Sequence, residues 1–236
     1  MPEAKSSGNL EFALAAPGDA AVYVIQHFIS YMTTSSESRE RLLMLLRQKS
    51  VFHGDFALAS GGRSSFYVDC KLTTLDPVGA LLAGEVMYDA IGHFADAHAI
   101  KLNAVGGLTM GADPLALAIG MQSVRAGKEN KLQVFSVRKS PKTHGQHKLI
   151  EGNFQAGDHV VVIDDVVTRG ESTLQAIDAV EEAGGHVAMV AMLVDREEGG
   201  RKKICDRGYK VVSIFSKAEV LAKDLAGTPT EALATT

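Results

Sequence analysis

Apolar positions along the chain change period repeatedly, and each change marks an element. Leu42, Leu43, Leu45 and Leu46 recur at helical spacing behind a Ser36 or Ser38 cap, which predicts a helix over 39–49. "FALASGGRSSFYVDCK" then reads as two short strands, Phe56–Ser60 and Ser65–Cys70, about a Gly61-Gly62 turn. Asp76-Pro77 opens a helix to Phe94 that keeps Leu81, Leu82, Val86, Ala90 and Ile91 at helical spacing. "NAVGG" (Asn103 to Gly107) is a short strand, Pro114 starts a helix to Ala126, and "KLQVFSVR" is a further strand. A basic, turn-rich segment follows from Lys139 to Phe154. The strand Val160–Val166 comes next, then a helix Ser172–Ala183 stopped by Gly184-Gly185, and the strand Val187–Val194. A last strand, Val211–Phe215, is followed by a short helix.

From residue 76 on, strands and helices alternate at intervals of roughly 25–30 residues, the rhythm of βαβ units. The near-continuous apolar run at Val160–Ile163 fits a parallel strand covered on both faces. The pattern predicts an α/β fold: a doubly wound parallel sheet with helices on both faces. Ligands in such sheets bind at the carboxyl ends of the strands. Gly106-Gly107, Asp164-Asp165 and Asp195-Arg196 all fall there.

Composition narrows this picture. At 236 residues, 46% hydrophobic and 22% charged, the chain can bury a real core. A net charge of −4 argues against nucleic acid as the main partner. Cys70 and Cys205 belong to no CxxC or Cys/His cluster, which argues against a structural zinc site and suits a reducing cytoplasm. "AAVYVIQHFISYM" (Ala20 to Met32) is apolar but too short to span a bilayer, and Glu3, Glu11 and Asp19 outweigh Lys5 where a secretory signal would be basic. The expectation is an extension over 1–36 outside the core fold, with Met32 as the natural start. A catalytic domain then covers 37–225 and a flexible tail 226–236. No membrane and no nucleic acid are expected as partners.

The segment "VVIDDVVTRGES" (Val161 to Ser172) carries the chemistry. Two carboxylates end a core strand, and a turn leads straight into a helix. A helix N-terminus offers unpaired N–H groups and a partial positive charge to an anion. Thr168, Ser172 and Thr173 add hydroxyls, and Gly170 allows close approach. Neither GxxxxGK[ST] nor GxGxxG is present. Carboxylates beside an anion site need another partner, either vicinal hydroxyls or a metal carried by the substrate. A ribose 5-phosphate satisfies both halves. A second constellation is "RKSPKTHG" (Arg138 to Gly145). It lies in an acid-free stretch from Asn130 to Ile150, and so many cations suit a compact polyanion such as pyrophosphate.

"VVIDDVVTRGES" resembles the phosphoribosyl pyrophosphate motif of type I phosphoribosyltransferases, and the spacing of "RKSPKTHG" resembles the mobile catalytic loop of orotate phosphoribosyltransferases. "GGLTMGADP" is similar to the loop that receives pyrophosphate. "FALASGGRSSFYVDCK" is similar to the N-terminal hood, here about 37–75. "VDREEGG" places an arginine, Arg196, where the family contacts orotate. The resemblance covers about Arg39 to Leu221. It implies transfer of the 5-phosphoribosyl group from phosphoribosyl pyrophosphate to orotate, giving orotidine 5′-phosphate and pyrophosphate in pyrimidine biosynthesis.

By the same resemblance the catalytic residues are Arg138, Lys139, Lys142 and His144. The phosphoribosyl pyrophosphate site is Asp164, Asp165, Val166, Val167, Thr168, Arg169, Gly170, Glu171 and Ser172, and the orotate site is Thr168, Arg196, Tyr67 and Val68. Mg2+ is the implied cofactor, held mainly by the substrate near Asp164 and Asp165 with no direct protein ligand. A homodimer is implied, with loop 138–148 reaching the neighbouring site, in the cytoplasm. The chain departs from the family at Ala59 and Met110, where lysine is common, leaving Arg63 or Lys71 as substitutes. Arg169 and Glu171 stand where small residues are commoner, and Glu171 would repel a phosphate unless turned outward or paired with Arg169. Two other readings remain: a regulator that only senses the sugar phosphate, and a transferase for another base such as adenine or xanthine. The length leaves no room for a second, decarboxylase domain, so a single activity is expected.

Overall fold

The computed structural model describes residues 36–57, 63–127, 131–140 and 149–222. The extension expected before Ser36, the turn at Gly61-Gly62 and the tail lie outside the described residues.

Helix α1 (36–45) runs on through a π-helical turn, Leu46–Ser50, into a two-stranded antiparallel hairpin of β1 (Val51–Ala57) and β2 (Arg63–Val68). A short α2 (Lys71–Thr74) leads to α3 (Pro77–Ala97). Asp76 caps α3 by accepting from the N–H groups of Val78 and Gly79, each at 3.0 Å. Then follow β3 (Ala104–Leu108), α4 (Ala112–Arg125), β4 (Gln133–Val137), β5 (Ile150–Gly152), β6 (His159–Val167) and α5 (Glu171–Glu182). The chain continues through β7 (His186–Asp195), α6 (Gly200–Asp206), β8 (Val211–Ser216) and α7 (Lys217–Leu221).

Six strands form one sheet in the order β5-β4-β3-β6-β7-β8, parallel except for β5, which runs antiparallel to β4 at the edge. Side chains on β6 and β7 alternate between two cores. Val161, Ile163, Met189, Ala191 and Leu193 pack on the α1, α3 and α4 face, while Val160, Val162, Val190 and Met192 pack with Ala176, Ile177 and Val180 of α5. All nine of those strand side chains are fully buried. At about 1.5–3 kcal/mol for each of the larger ones, this burial makes the central strands a firm support for the edge above them.

Three differences from the sequence reading have physical reasons. The first hairpin strand begins at Val51, five residues earlier than expected, because pairing with β2 continues back past an irregularity between His53 and Phe56 to Val51, opposite Val68. Strand β5 lies inside the segment expected to be all turn, since three residues beside a basic loop give no readable period. Helix α6 was not anticipated, because "GRKKICD" starts without a side-chain cap.

The two ends of this unit are latched. Arg39 Nη2 donates to Glu219 Oε1 at 2.5 Å and to the Ile214 carbonyl at 3.0 Å, with its guanidinium 4.6 Å from the Phe215 ring centroid. Arg47 donates to the Glu219 carbonyl at 2.9 Å. Glu219 also completes a capping box with Ser216 at the start of α7.

Candidate active site

Strand β6 places its carboxylates at the carboxyl edge of the sheet, beside the end of β3 and the turn after it. Asp164 and Asp165 are 7% and 9% exposed. Both oxygens of Asp164 accept: Oδ2 from the Thr173 hydroxyl at 2.8 Å, Oδ1 from the Asp165 N–H at 3.1 Å. Thr173 is itself buried and points inward, so its hydroxyl orients an acid and does not face an anion beyond the helix end. Burial first, and then the Asp165 charge, push the Asp164 carboxyl up to about 7. Burial also raises Asp165, opposed chiefly by the positive charge of Lys71. Lys71 pairs with Asp69 at 2.6 Å. Arg63 instead pairs with Asp55 across the hairpin. Of the two substitutes considered for the missing lysines, Lys71 is the one whose field reaches the acids. Cys70, next along the chain, is fully buried, and burial followed by the Asp165 charge pushes its thiol well up.

The turn after β3 closes over these acids. Gly111 begins α4 so near that a Cβ there would lie 2.4 Å from Asp165 Oδ1. Asp113 ties the turn down, accepting from Thr109 Oγ1 at 2.6 Å and from Ser136 Oγ of β4 at 2.5 Å. The sequence reading passed over Asp113. The available signal was an acid in the first helical turn next to two hydroxyl-bearing strand ends.

Beyond Asp165, Val166 is half-buried and Val167 is buried in the α5-side core. Thr168 and Arg169 carry the chain to Gly170, whose φ of +80° makes the turn into α5. Among the described residues no side chain from the N-cap closes the first turn of α5, which leaves the N–H groups beyond that of Glu171 for an incoming anion. Ser172 is exposed there. Glu171 is turned outward. Its own N–H and then Lys203, 3.3 Å away, hold its carboxyl below the usual range, and Arg169 contributes less. Of the two alternatives, turned outward or paired with Arg169, the outward turn is the one observed, and its partner is mainly Lys203 of α6.

Arg196 follows β7 directly. Its N–H donates to the Val167 carbonyl at 3.0 Å, fixing it beside the acid-bearing strand. The residue is 5% exposed. Its guanidinium lies 4.7 Å from the Phe66 ring centroid and donates from Nη2 to Glu198 Oε1 at 2.6 Å. Strand alternation in β2 puts Phe66 on this side. Tyr67 is exposed and packs against Phe52 and Phe56 at 6.4 and 5.7 Å between centroids, while Val68 enters the core. Phe66 is therefore the hood residue over Arg196, immediately before the two that the sequence singled out.

Arg138 extends β4, with Nη1 3.8 Å from Glu151 Oε1 on β5. Lys139 is exposed, and its carbonyl accepts from Gln175 Nε2 of α5 at 3.0 Å, which anchors the start of the basic loop beside the helix N-terminus. Lys142 and His144 lie outside the described residues. Clefts of about 400 and 770 Å3 open along β5 and at the amino ends of the strands, but neither gathers acids and an anion-binding turn together.

The edge thus offers a buried acid pair, an uncapped helix start and a buried arginine under an aromatic ring. Such a set can hold a polyol, a phosphate and a planar carboxylate in one row. No family model matches the chain. A curated orotate phosphoribosyltransferase of Aquifex aeolicus (strain VF5) is 42% identical over 186 residues, spanning 78% of this chain and 97% of that protein. Among solved structures, Mycobacterium tuberculosis H37Rv orotate phosphoribosyltransferase in complex with Fe(III) dicitrate is 36% identical, with a TM-score of 0.65 over 78% of this chain and 99% of that one. The same enzyme in complex with 5-phospho-α-D-ribosyl 1-diphosphate aligns at 31% identity with a TM-score of 0.61, covering 78% and 92% of the two chains.

Proposed function

From the premise that this chain belongs to the orotate phosphoribosyltransferase family, we propose how its residues divide the reaction. The enzyme transfers the 5-phosphoribosyl group from phosphoribosyl pyrophosphate to orotate, releasing pyrophosphate. Asp164 and Asp165 receive the ribose hydroxyls, and the α5 N-terminus with Thr168 and Ser172 receives the 5′-phosphate. The turn 109–111 receives the pyrophosphate, and Arg196 takes the orotate carboxylate. The observation that carries this reading is the buried acid pair placed directly before an uncapped helix start.

Bond breaking leaves positive charge on the ribose ring and negative charge on pyrophosphate. The acid pair favours the first. Arg138, Lys139, Lys142 and His144 meet the second as preorganised cations, and closing over the substrate excludes water. Among the described residues, no three His, Cys, Asp or Glu side chains converge. Both Asp164 oxygens are already engaged. This donor set fits a hydrated magnesium ion that the substrate's phosphates hold, with Asp164 and Asp165 as outer contacts. When bound, the ion neutralises part of the pyrophosphate charge.

A homodimer whose loop 138–148 serves the neighbouring site is part of the proposal. Exposed Leu117, Met121 and Val124 form a stripe along α4, and Val78 and Leu81 lie exposed on the adjoining α3, an apolar surface of the kind that partners cover. A cytoplasmic setting is supported by two free cysteines. No helix among the described residues is long and apolar enough to cross a membrane. The test is to offer orotate, adenine and xanthine separately with magnesium and phosphoribosyl pyrophosphate. Loss of orotate absorbance with the others inert supports the assignment. Turnover of another base, or binding of the sugar phosphate without turnover, overturns it.

A further inference from the structure

Arg196 is a buried cation that already holds an anion, and the anion comes from two residues along its own chain. Positive φ at Glu197 (57°) and Gly199 (92°) curls the segment so that the Glu198 carboxylate returns to Nη2 at 2.6 Å. The two partners differ in access. The Arg196 side chain is 7% exposed and that of Glu198 is 34% exposed. The acid reaches in from solvent and can swing back at little desolvation cost, whereas the arginine cannot leave. Phe66 covers the face of the guanidinium. The Arg196 Nε is buried and has no hydrogen-bond partner among the described residues. Nε and Nη2 lie on one edge of the guanidinium, the fork that a carboxylate takes bidentately. Glu198 fills half of that edge.

We infer that Glu198 is an internal substitute for the substrate carboxylate, bound to Arg196 in the free enzyme and displaced by orotate. The inference rests on the proposed role of Arg196. The exchange replaces one anion by another, so the buried guanidinium is never left uncompensated, a state that burial makes strongly unfavourable. A ligand carboxylate that engages both Nε and Nη2 makes one more charge-assisted bond than Glu198 does, and this drives the exchange. A pyrimidine without a carboxylate, such as uracil, has nothing to offer Arg196 in return and meets Glu198 in place. Glu198 is then a specificity-determining residue: it weakens every base somewhat and rejects uncharged ones more.

The experiment measures orotate and phosphoribosyl pyrophosphate binding and steady-state kinetics for Glu198→Gln, which keeps shape and removes charge. Orotate KM and Kd should fall by roughly 3–10-fold, the scale of one partly exposed charge-assisted pair, with kcat and the phosphoribosyl pyrophosphate KM little changed. The free variant should unfold at lower urea than wild type, and saturating orotate should erase that difference. Glu198→Asp, with a shorter reach, should shift orotate binding in the same direction and guards against misfolding of the first variant. Unchanged or weaker orotate binding in both variants overturns the inference. Arg196→Ala, run alongside, separates the two levels. If it weakens orotate selectively, the base-site role stands whatever Glu198 does; equal loss for both substrates removes that role and the inference with it.

Discussion

Asp164→Asn isolates the cost of keeping an acid pair in the core. Asp164 titrates at about 7 where an ordinary aspartate titrates at 3.8, first because it is buried and then because Asp165 is charged beside it. A raised native pKa means that the folded chain holds this proton more tightly than the unfolded chain does. The stabilising effect is complete below about pH 4 and is lost as the pH rises through 7. At about 1.4 kcal/mol per tenfold change in proton affinity, the full loss is on the order of 4 kcal/mol, a ceiling because Asp165 shares the pair's charge. The asparagine variant has no such loss. It keeps the acceptor for the Asp165 N–H, and the Thr173 hydroxyl can reverse to accept from the new amide, so its fixed cost is about 1 kcal/mol. Urea midpoints at pH 4.5, 6, 7 and 8 should place the variant slightly below wild type at the acid end and roughly 2–3 kcal/mol above it at the alkaline end. Activity should fall at every pH, since a neutral amide no longer accepts from ribose hydroxyls as a carboxylate does. A stability difference that stays constant across this range would refute the reasoning.

The remaining expectations address other parts of the site. Lys142→Ala should cut turnover by on the order of 10²–10³, the scale of one preorganised cation, with near-wild-type turnover in a steady-state assay counting against the catalytic loop. Gly111→Ala drives a Cβ to 2.4 Å from Asp165 Oδ1, although the backbone there is already helical. Calorimetry should find little change in melting temperature but weaker phosphoribosyl pyrophosphate binding; the reverse pattern would show that Gly111 serves packing alone. Met121→Glu puts a charge in the exposed α4 stripe and, under the proposed homodimer, should sediment as a monomer where the wild type sediments as a dimer; a variant that still dimerises would move the interface elsewhere.

The sequence made the sheet legible where both faces are covered, because Val160–Ile163 can be little else than a central parallel strand. The acids at its end stood out for the same reason: carboxylates in an apolar run demand a use. What escaped was orientation. Alternation in Arg63–Val68 separates Phe66 from Tyr67 without telling which of them meets Arg196, a choice made by how the hairpin docks. Likewise, nothing in "GESTLQ" marks Thr173 as inward and Ser172 as outward until α5 is laid on the sheet. Asp113 and Glu198 escaped because each acts through groups that tertiary structure brings to it: Thr109 and Ser136 in one case, a curled turn in the other.

The latch between Arg39 and Glu219 bears on the order in which the enzyme matures during synthesis. The two residues are 180 positions apart, and α1 leads directly into the hairpin that carries Phe66. On a ribosome adding roughly 5–20 residues per second, the helix waits about ten seconds or more for its partner. The parallel strands can assemble as they emerge, but α1 has no Ile214 carbonyl or Glu219 carboxylate to grip until the last helix is out. The hood is thus the last region to be secured. A nascent chain would acquire its sugar-phosphate edge before its lid, and truncation after α6 should leave a core that retains the acids and Arg196 without a docked hood.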